Sequence, residues 1–112
     1  MTKNFDRYIN VLKALSDETR LNIVHMLSCR QMCANDLLEC FHITQPTLSY
    51  HMKILSKAGV VKSTRQASYT IYSVDQQTLN LIFELFCLLK QKKIPPEGAT
   101  MEELCELLQD RI

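Results

Sequence analysis

A helical pattern that stops on a glycine and runs at once into β-forming residues restricts this chain more than any other feature. Residues Ile43 to Gly59, ITQPTLSYHMKILSKAG, read as a short turn followed by a helix. Thr44 suits the N-cap, Pro46 suits the first turn, and Gly59 after Lys57 supplies the stop. At about 100° per residue, Leu48, Met52 and Leu55 share one arc, which packs inward. The opposite arc carries Gln45, Ser49, Tyr50, Lys53 and Lys57. The next run, VVKSTRQASYTIYSV from Val60 to Val74, is rich in Val, Thr, Tyr and Ile and reads as two strands joined near Gln66–Ser68.

The residues before this pair set its context. Phe5, Tyr8, Ile9, Leu12 and Leu15 recur at helical spacing and predict a first helix from about Lys3 to Ser16. Ser16 or Asp17 caps a second, ending near Ser28, with Ile23, Val24, Met26 and Leu27 on its apolar side. Glu18 falls where the helix dipole favours an acid. The periodicity breaks around Cys29–Met32, and a short third helix runs from Cys33 to Phe41 with Leu37 and Leu38 inward. Two short helices around the tight His42–Thr44 turn form a helix-turn-helix, although the glycine often seen in such a turn is missing. A hairpin directly after the second helix is a wing. The expected class is therefore mainly α with a small β-hairpin, a winged helix-turn-helix.

Charge points to a partner. Residues 40–74 hold Lys53, Lys57, Lys62 and Arg65 and no Asp or Glu, a net +4, whereas residues 75–112 carry a net −3. A basic middle and an acidic end suggest one face for a polyanion. The amide, hydroxyl and cationic groups of the exposed arc suit the base edges and phosphates of a DNA major groove. Lys62, Arg65, Gln66 and Tyr69 are placed for the wing to follow the phosphate backbone. The plainer readings are an ordinary amphipathic surface helix and a solvated basic hairpin. A protein-binding winged helix is a further alternative, which the acid-free window disfavours.

Asp75 caps a helix expected to reach about Gln91. Leu79, Ile82, Phe83, Phe86 and Leu89 line one side of it, and Leu81, Leu85 and Leu88 another. A helix apolar nearly all round needs cover nearly all round, and a second copy is the expected cover. A homodimer through this helix and the first one, using Phe5, Tyr8 and Leu12, follows. Its two-fold symmetry implies a palindromic double-stranded operator with recognition helices about 34 Å apart. Residues 1–93 form the DNA-binding and dimerisation domain. Residues 94–112 form a linker, with Pro95 and Pro96, and a last helix from Met101 to Asp110. Thr100 and Glu103 match a capping box, and Leu104, Leu107 and Leu108 give that helix an apolar face for the dimer or a partner.

The totals exclude several classes. The chain has 112 residues, 46% of them apolar, as expected for one globular domain. No apolar run approaches the roughly 20 residues of a membrane span. The start, MTKNFDRYIN, lacks a signal-peptide core, so a cytoplasmic location is expected. Five cysteines without framework spacing read as free thiols in a reducing compartment. No nucleophile–base pair or phosphate loop appears, and two glycines leave little scope for a cofactor cradle, so neither enzyme nor cofactor is expected.

Three segments together, LKALSDETRLNIVHML (Leu12–Leu27), TQPTLSYHMKILSKAGVV (Thr44–Val61) and the SYTIYSVD end of the hairpin, resemble the ArsR/SmtB family of winged-helix repressors. The resemblance implies a dimeric repressor that leaves its operator when an inducer binds. It places DNA-contacting positions at Thr44, Gln45, Thr47, Ser49, Tyr50 and Lys53 and in the wing. The wing tip departs from the family's Arg-x-Gly pattern, since Ala67 stands where Gly is common. Arsenic-sensing members carry Leu-Cys-x-Cys-Asp-Leu; here Met32-Cys33-Ala34-Asn35-Asp36-Leu37 keeps one thiol, with Cys29 and Cys40 as weak substitutes. The Asp-x-His and His-x-x-His of zinc sensors are absent, because Asp75 is followed by Gln76 and Gln77 and no His follows His51. The inducer is thus left open: Cys29, Cys33 and Cys87 are structural thiols, a redox or persulfide switch, or part of a metal or metalloid site, and a partner protein controlling the dimer is a further alternative. His25, His42 and His51 read as packing or turn residues rather than ligands, with a DNA phosphate contact as a further option for His51.

Overall fold

The computed structural model describes residues 2–91, 98 and 100–103. Between residues 2 and 91, five helices and three short strands follow in the order α1 (Thr2–Leu15), α2 (Glu18–Cys29), β1 (Met32–Cys33), α3 (Ala34–Phe41), α4 (Gln45–Lys57), β2 (Val61–Gln66), β3 (Tyr69–Val74) and α5 (Gln76–Leu89). The helices begin where their sequences provide caps. Asp17 accepts the Arg20 backbone N–H at 3.0 Å, Thr44 accepts that of Thr47 at 3.3 Å, and Asp75 accepts that of Gln77 at 3.0 Å. Each side chain satisfies an N–H that the first helical turn leaves without a partner. At the start of α3 the roles reverse: Asp36 takes the Cys33 backbone N–H at 3.1 Å.

The expected two-stranded hairpin is a three-stranded antiparallel sheet, ordered β1-β3-β2. Met32 pairs with Tyr72 and Cys33 with Ile71, so the stretch where the helical period breaks is itself a strand. It ties the middle of β3 to the start of α3. The hairpin turn is shorter than expected, with only Ala67 and Ser68 between Gln66 and Tyr69.

Val11, Ile23, Leu37, Leu55 and Val60 are the largest side chains fully removed from water, and they come from α1, α2, α3, α4 and the approach to β2. Burying one such side chain contributes roughly 1.5–3 kcal/mol. Leu48, Met52 and Leu55 turn inward together, which fixes α4 against this core. At the end of α4 the chain turns through Gly59 at φ +83, and Val60 N–H donates to Leu55 O at 3.0 Å. The helix-turn-helix needs the same left-handed geometry, and His42 adopts it at φ 52 in place of a glycine. Histidine is among the residues that tolerate that region best.

Helix α5 requires a correction. Ile82 and Leu85, expected on different sides, are both buried in the chain's own core, and Leu79 packs against it. Tyr8, also expected at the dimer face, is only 7% exposed and joins Phe5 edge-on with ring centroids 5.9 Å apart. Phe5, Ile9 and Leu12 on α1 and Phe86, Leu88 and Leu89 on α5 are exposed, and Phe83 is half-buried. The expected last helix begins with its capping box formed: Thr100 N–H donates to Glu103 Oε1 at 3.2 Å and Glu103 N–H to Thr100 Oγ1 at 3.1 Å. The linker through Pro95 and Pro96, and Leu104, Leu107 and Leu108, lie outside the described residues.

Candidate nucleic-acid interface

Helix α4 presents Gln45, Thr47, Ser49, Tyr50, Lys53 and Lys57 to solvent, opposite its buried Leu48, Met52 and Leu55. Tyr50 is 60% exposed. The hydroxyls of Thr44 and Thr47 are partly spoken for, since Thr44 Oγ1 donates to Thr47 Oγ1 at 2.9 Å as part of the cap. The helix carries no acidic residue, and Lys57 in its last turn matches the negative end of its dipole.

His51 does not belong to this surface. It is 8% exposed and faces inward, where Arg20 donates from Nη1 to His51 Nδ1 at 3.1 Å. The same guanidinium donates from Nε to the carbonyl of Ala14 at 2.7 Å. One arginine therefore joins the end of α1, the start of α2 and the middle of α4. Nothing local in the sequence signals this bond, because its partners are 31 positions apart. The Asp17 carboxyl beside Arg20 is held below the ordinary aspartate value, first by the Arg20 backbone N–H and then by nearby positive charge.

The pleat of the wing divides its candidate residues. Gln66 pairs with Tyr69 and Arg65 with Thr70. Because successive residues alternate faces, Lys62, Gln66 and Tyr69 share one face and Arg65 lies on the other. All four are exposed. At the tip Ala67 takes φ 54, the conformation for which glycine would be unstrained.

The thiols are dispersed through the fold. Cys29 ends α2 and is exposed, Cys40 is exposed on α3, Cys33 is half-buried and Cys87 is buried on α5. All four are free thiols. The Asp36 carboxyl is held below its ordinary value by the Cys33 backbone N–H and, after it, the Cys33 thiol. Among the described residues, no group of three or more His, Cys, Asp or Glu side chains converges on a metal position. No described helix is long and apolar enough to cross a membrane.

Residues 17–63, from the α2 cap into β2, match the sequence model of the bacterial regulatory protein, arsR family. The chain is also 43% identical over 72 residues to the arsenical resistance operon repressor of Staphylococcus xylosus, spanning 64% of this chain and 69% of that one. The chain belongs to the ArsR family. Solved ArsR-like structures share its architecture. HlyU from Vibrio cholerae superposes with a TM-score of 0.68 at 28% identity, covering 80% of this chain and 97% of that one. The homodimeric winged helix-turn-helix DNA-binding domain of a possible ArsR-family regulator from Mycobacterium bovis superposes with a TM-score of 0.64 at 19% identity, covering 78% and 82%. In this ArsR-family chain, β1 holds the segment between α2 and α3, just ahead of the helix-turn-helix, against the middle of β3, and hydrophobic periodicity does not reveal that element.

Proposed function

We propose that this ArsR-family chain is a transcriptional repressor without catalytic activity, acting in the cytoplasm as a homodimer on a palindromic double-stranded operator. The observation that carries this reading is α4 itself: one side is locked into the core while Gln45, Thr47, Ser49, Tyr50, Lys53 and Lys57 stand in solvent with no carboxylate among them. Gln45 and Ser49 are suited to base edges, Lys53 and Lys57 to phosphates, and the Lys62, Gln66 and Tyr69 face of the wing to the flanking backbone. The exposed apolar residues of α1 and α5 form the subunit interface, with Phe5, Leu12, Phe86 and Leu89 at its centre. The arsenical and DNA-binding relatives support the reading by analogy.

The test is binding to a duplex carrying the gene's own upstream region, at several salt concentrations, with reductant, oxidant, arsenite or zinc added separately. Specific binding that falls steeply with salt supports the repressor. Release by one agent identifies the inducer's chemistry and assigns Cys29, Cys33 or Cys87 a sensing role. Retention under all of them makes the thiols structural. A genome-wide selection that finds no preferred sequence overturns the reading.

A further inference from the structure

A cleft of about 390 Å³ opens between α1, the start of α2 and the C-terminal end of α4, lined by Asn10, Lys13, Ala14, Arg20, Ile54, Lys57 and Ala58. A second lobe shares Asn10, Lys57 and Ala58 and adds Arg7 and Gly59. The floor is apolar, from Ala14, Ile54 and Ala58. The walls bring four cations and no Asp or Glu.

Each cation has a plainer role to weigh. Lys13 and Lys57 sit in the last turns of α1 and α4, where they offset helix dipoles, and Arg20 is engaged with Ala14 and His51. Two helix C-termini bring about half a negative charge each, and Asp17 near Arg20 brings one more. Four cations leave a surplus of about two positive charges over that opposition. The cleft also lies away from the subunit interface. On the α1 wheel, at about 100° per residue, Arg7, Asn10 and Ala14 are about half a turn from the exposed stripe of Phe5, Ile9 and Leu12, and Lys13 stands between the two sides.

We propose that this cleft binds a small organic anion, a phosphate- or carboxylate-bearing molecule with an apolar body. Its volume falls within the range of small-molecule sites, about 300–1,000 Å³, and its apolar floor with a few cationic groups at the walls is the usual make-up of one. A DNA backbone suits it less well, because a phosphodiester chain has no apolar body to place on Ala14, Ile54 and Ala58. The site touches both α1 and α4, so an occupant gains contacts with the dimerisation helix and the recognition helix at once. The inference does not depend on the DNA-binding function.

Phenyl phosphate and inorganic phosphate serve as probes, titrated into the full chain without DNA at constant ionic strength set by chloride. Amide NMR shifts report occupancy. The expected result is saturable movement at Ala14, Ala58 and Gly59, tighter for phenyl phosphate than for phosphate. Lys13→Gln and Arg7→Gln, both at exposed positions, each weaken phenyl phosphate binding roughly threefold to tenfold while the remaining spectrum stays that of the folded chain. Non-saturable shifts, or affinities unchanged in both variants, overturn the proposal. So does a loss of DNA affinity in both variants without any phenyl phosphate binding, which assigns the cleft to the nucleic-acid backbone.

Discussion

Arg20 Nη1 lies 3.1 Å from His51 Nδ1, and this bond anchors the recognition helix α4 to the start of α2. A guanidinium only donates, so Nδ1 is the acceptor in this bond. The bond sits on the inward side of the helix whose outward side faces the proposed operator. Replacing His51 with Ala leaves a half-buried guanidinium donor without its partner and is expected to cost about 1–3 kcal/mol of stability. Urea unfolding of His51→Ala, Arg20→Ala and the double variant checks this. A coupling energy of at least about 0.5 kcal/mol is expected, and strict additivity would show that the two side chains act separately.

If Gln45 reads a base and Lys62 holds the backbone, as proposed, the two contributions separate in binding measurements. Gln45→Ala is expected to relax preference at one base pair by about 1–3 kcal/mol while leaving non-specific affinity nearly intact. Lys62→Ala is expected to weaken every duplex about equally and to lower the salt slope by about 1. Binding measured on an operator and a scrambled duplex, at several salt concentrations, distinguishes them. Equal losses on both duplexes from Gln45→Ala remove it from the base-reading residues.

The exposed half of the α1–α5 surface predicts the effect of a charge placed there. Phe86 is 51% and Leu89 66% exposed, so Phe86→Glu and Leu89→Glu are expected to yield folded monomers in sedimentation equilibrium. Tyr8→Ala acts differently, because that ring is buried in its own chain, and it should cost roughly 3 kcal/mol of chain stability. Dimers persisting in both glutamate variants would place the subunit interface elsewhere.

Two carboxylates shape the acid limb of stability. Asp17 and Asp36 both have folded-state values below the ordinary one, through the backbone N–H groups of Arg20 and Cys33. A lowered folded value means stability is fully present above the unfolded value of about 4. It is lost as pH falls through the lowered one. Asp17→Asn and Asp36→Asn should therefore flatten the decline of melting temperature below about pH 4. Melts across pH 2–7 check this, and an unchanged acid limb in both would mean other groups govern it.

Ala67 holds φ 54 at the wing tip, where a side chain costs roughly 1–2 kcal/mol relative to glycine. The greater freedom of glycine in the unfolded chain offsets part of this, so Ala67→Gly should stabilise by about 0.5–1 kcal/mol. Thermal melts measure the change. A destabilised Ala67→Gly protein would mean that the turn is not strained by its Cβ.

Local patterns in the sequence are enough to place the helices. Thr44, Pro46 and Gly59 bound α4, Asp17 and Asp75 cap α2 and α5, and Leu48, Met52 and Leu55 choose the buried side, because caps and a 3.6-residue period act within a few residues. The exposed arc of Ser49, Tyr50, Lys53 and Lys57 follows from the same period, and Gln45 is exposed because it opens the helix. What the sequence leaves undecided involves partners far along the chain. The two-residue strand Met32–Cys33 is too short to show a period and exists only because β3 offers it a ladder. The helical period turns His51 toward the buried side, three residues after Leu48 and four before Leu55, but it does not show that Arg20 is the partner that satisfies its ring there. Tyr8 and Ile82 carry the same apolar signal as Phe5 and Phe86, and only the packing of α1 and α5 against one core decides which of them remain in contact with water. Periodicity records that a side must be covered; the tertiary structure decides by what.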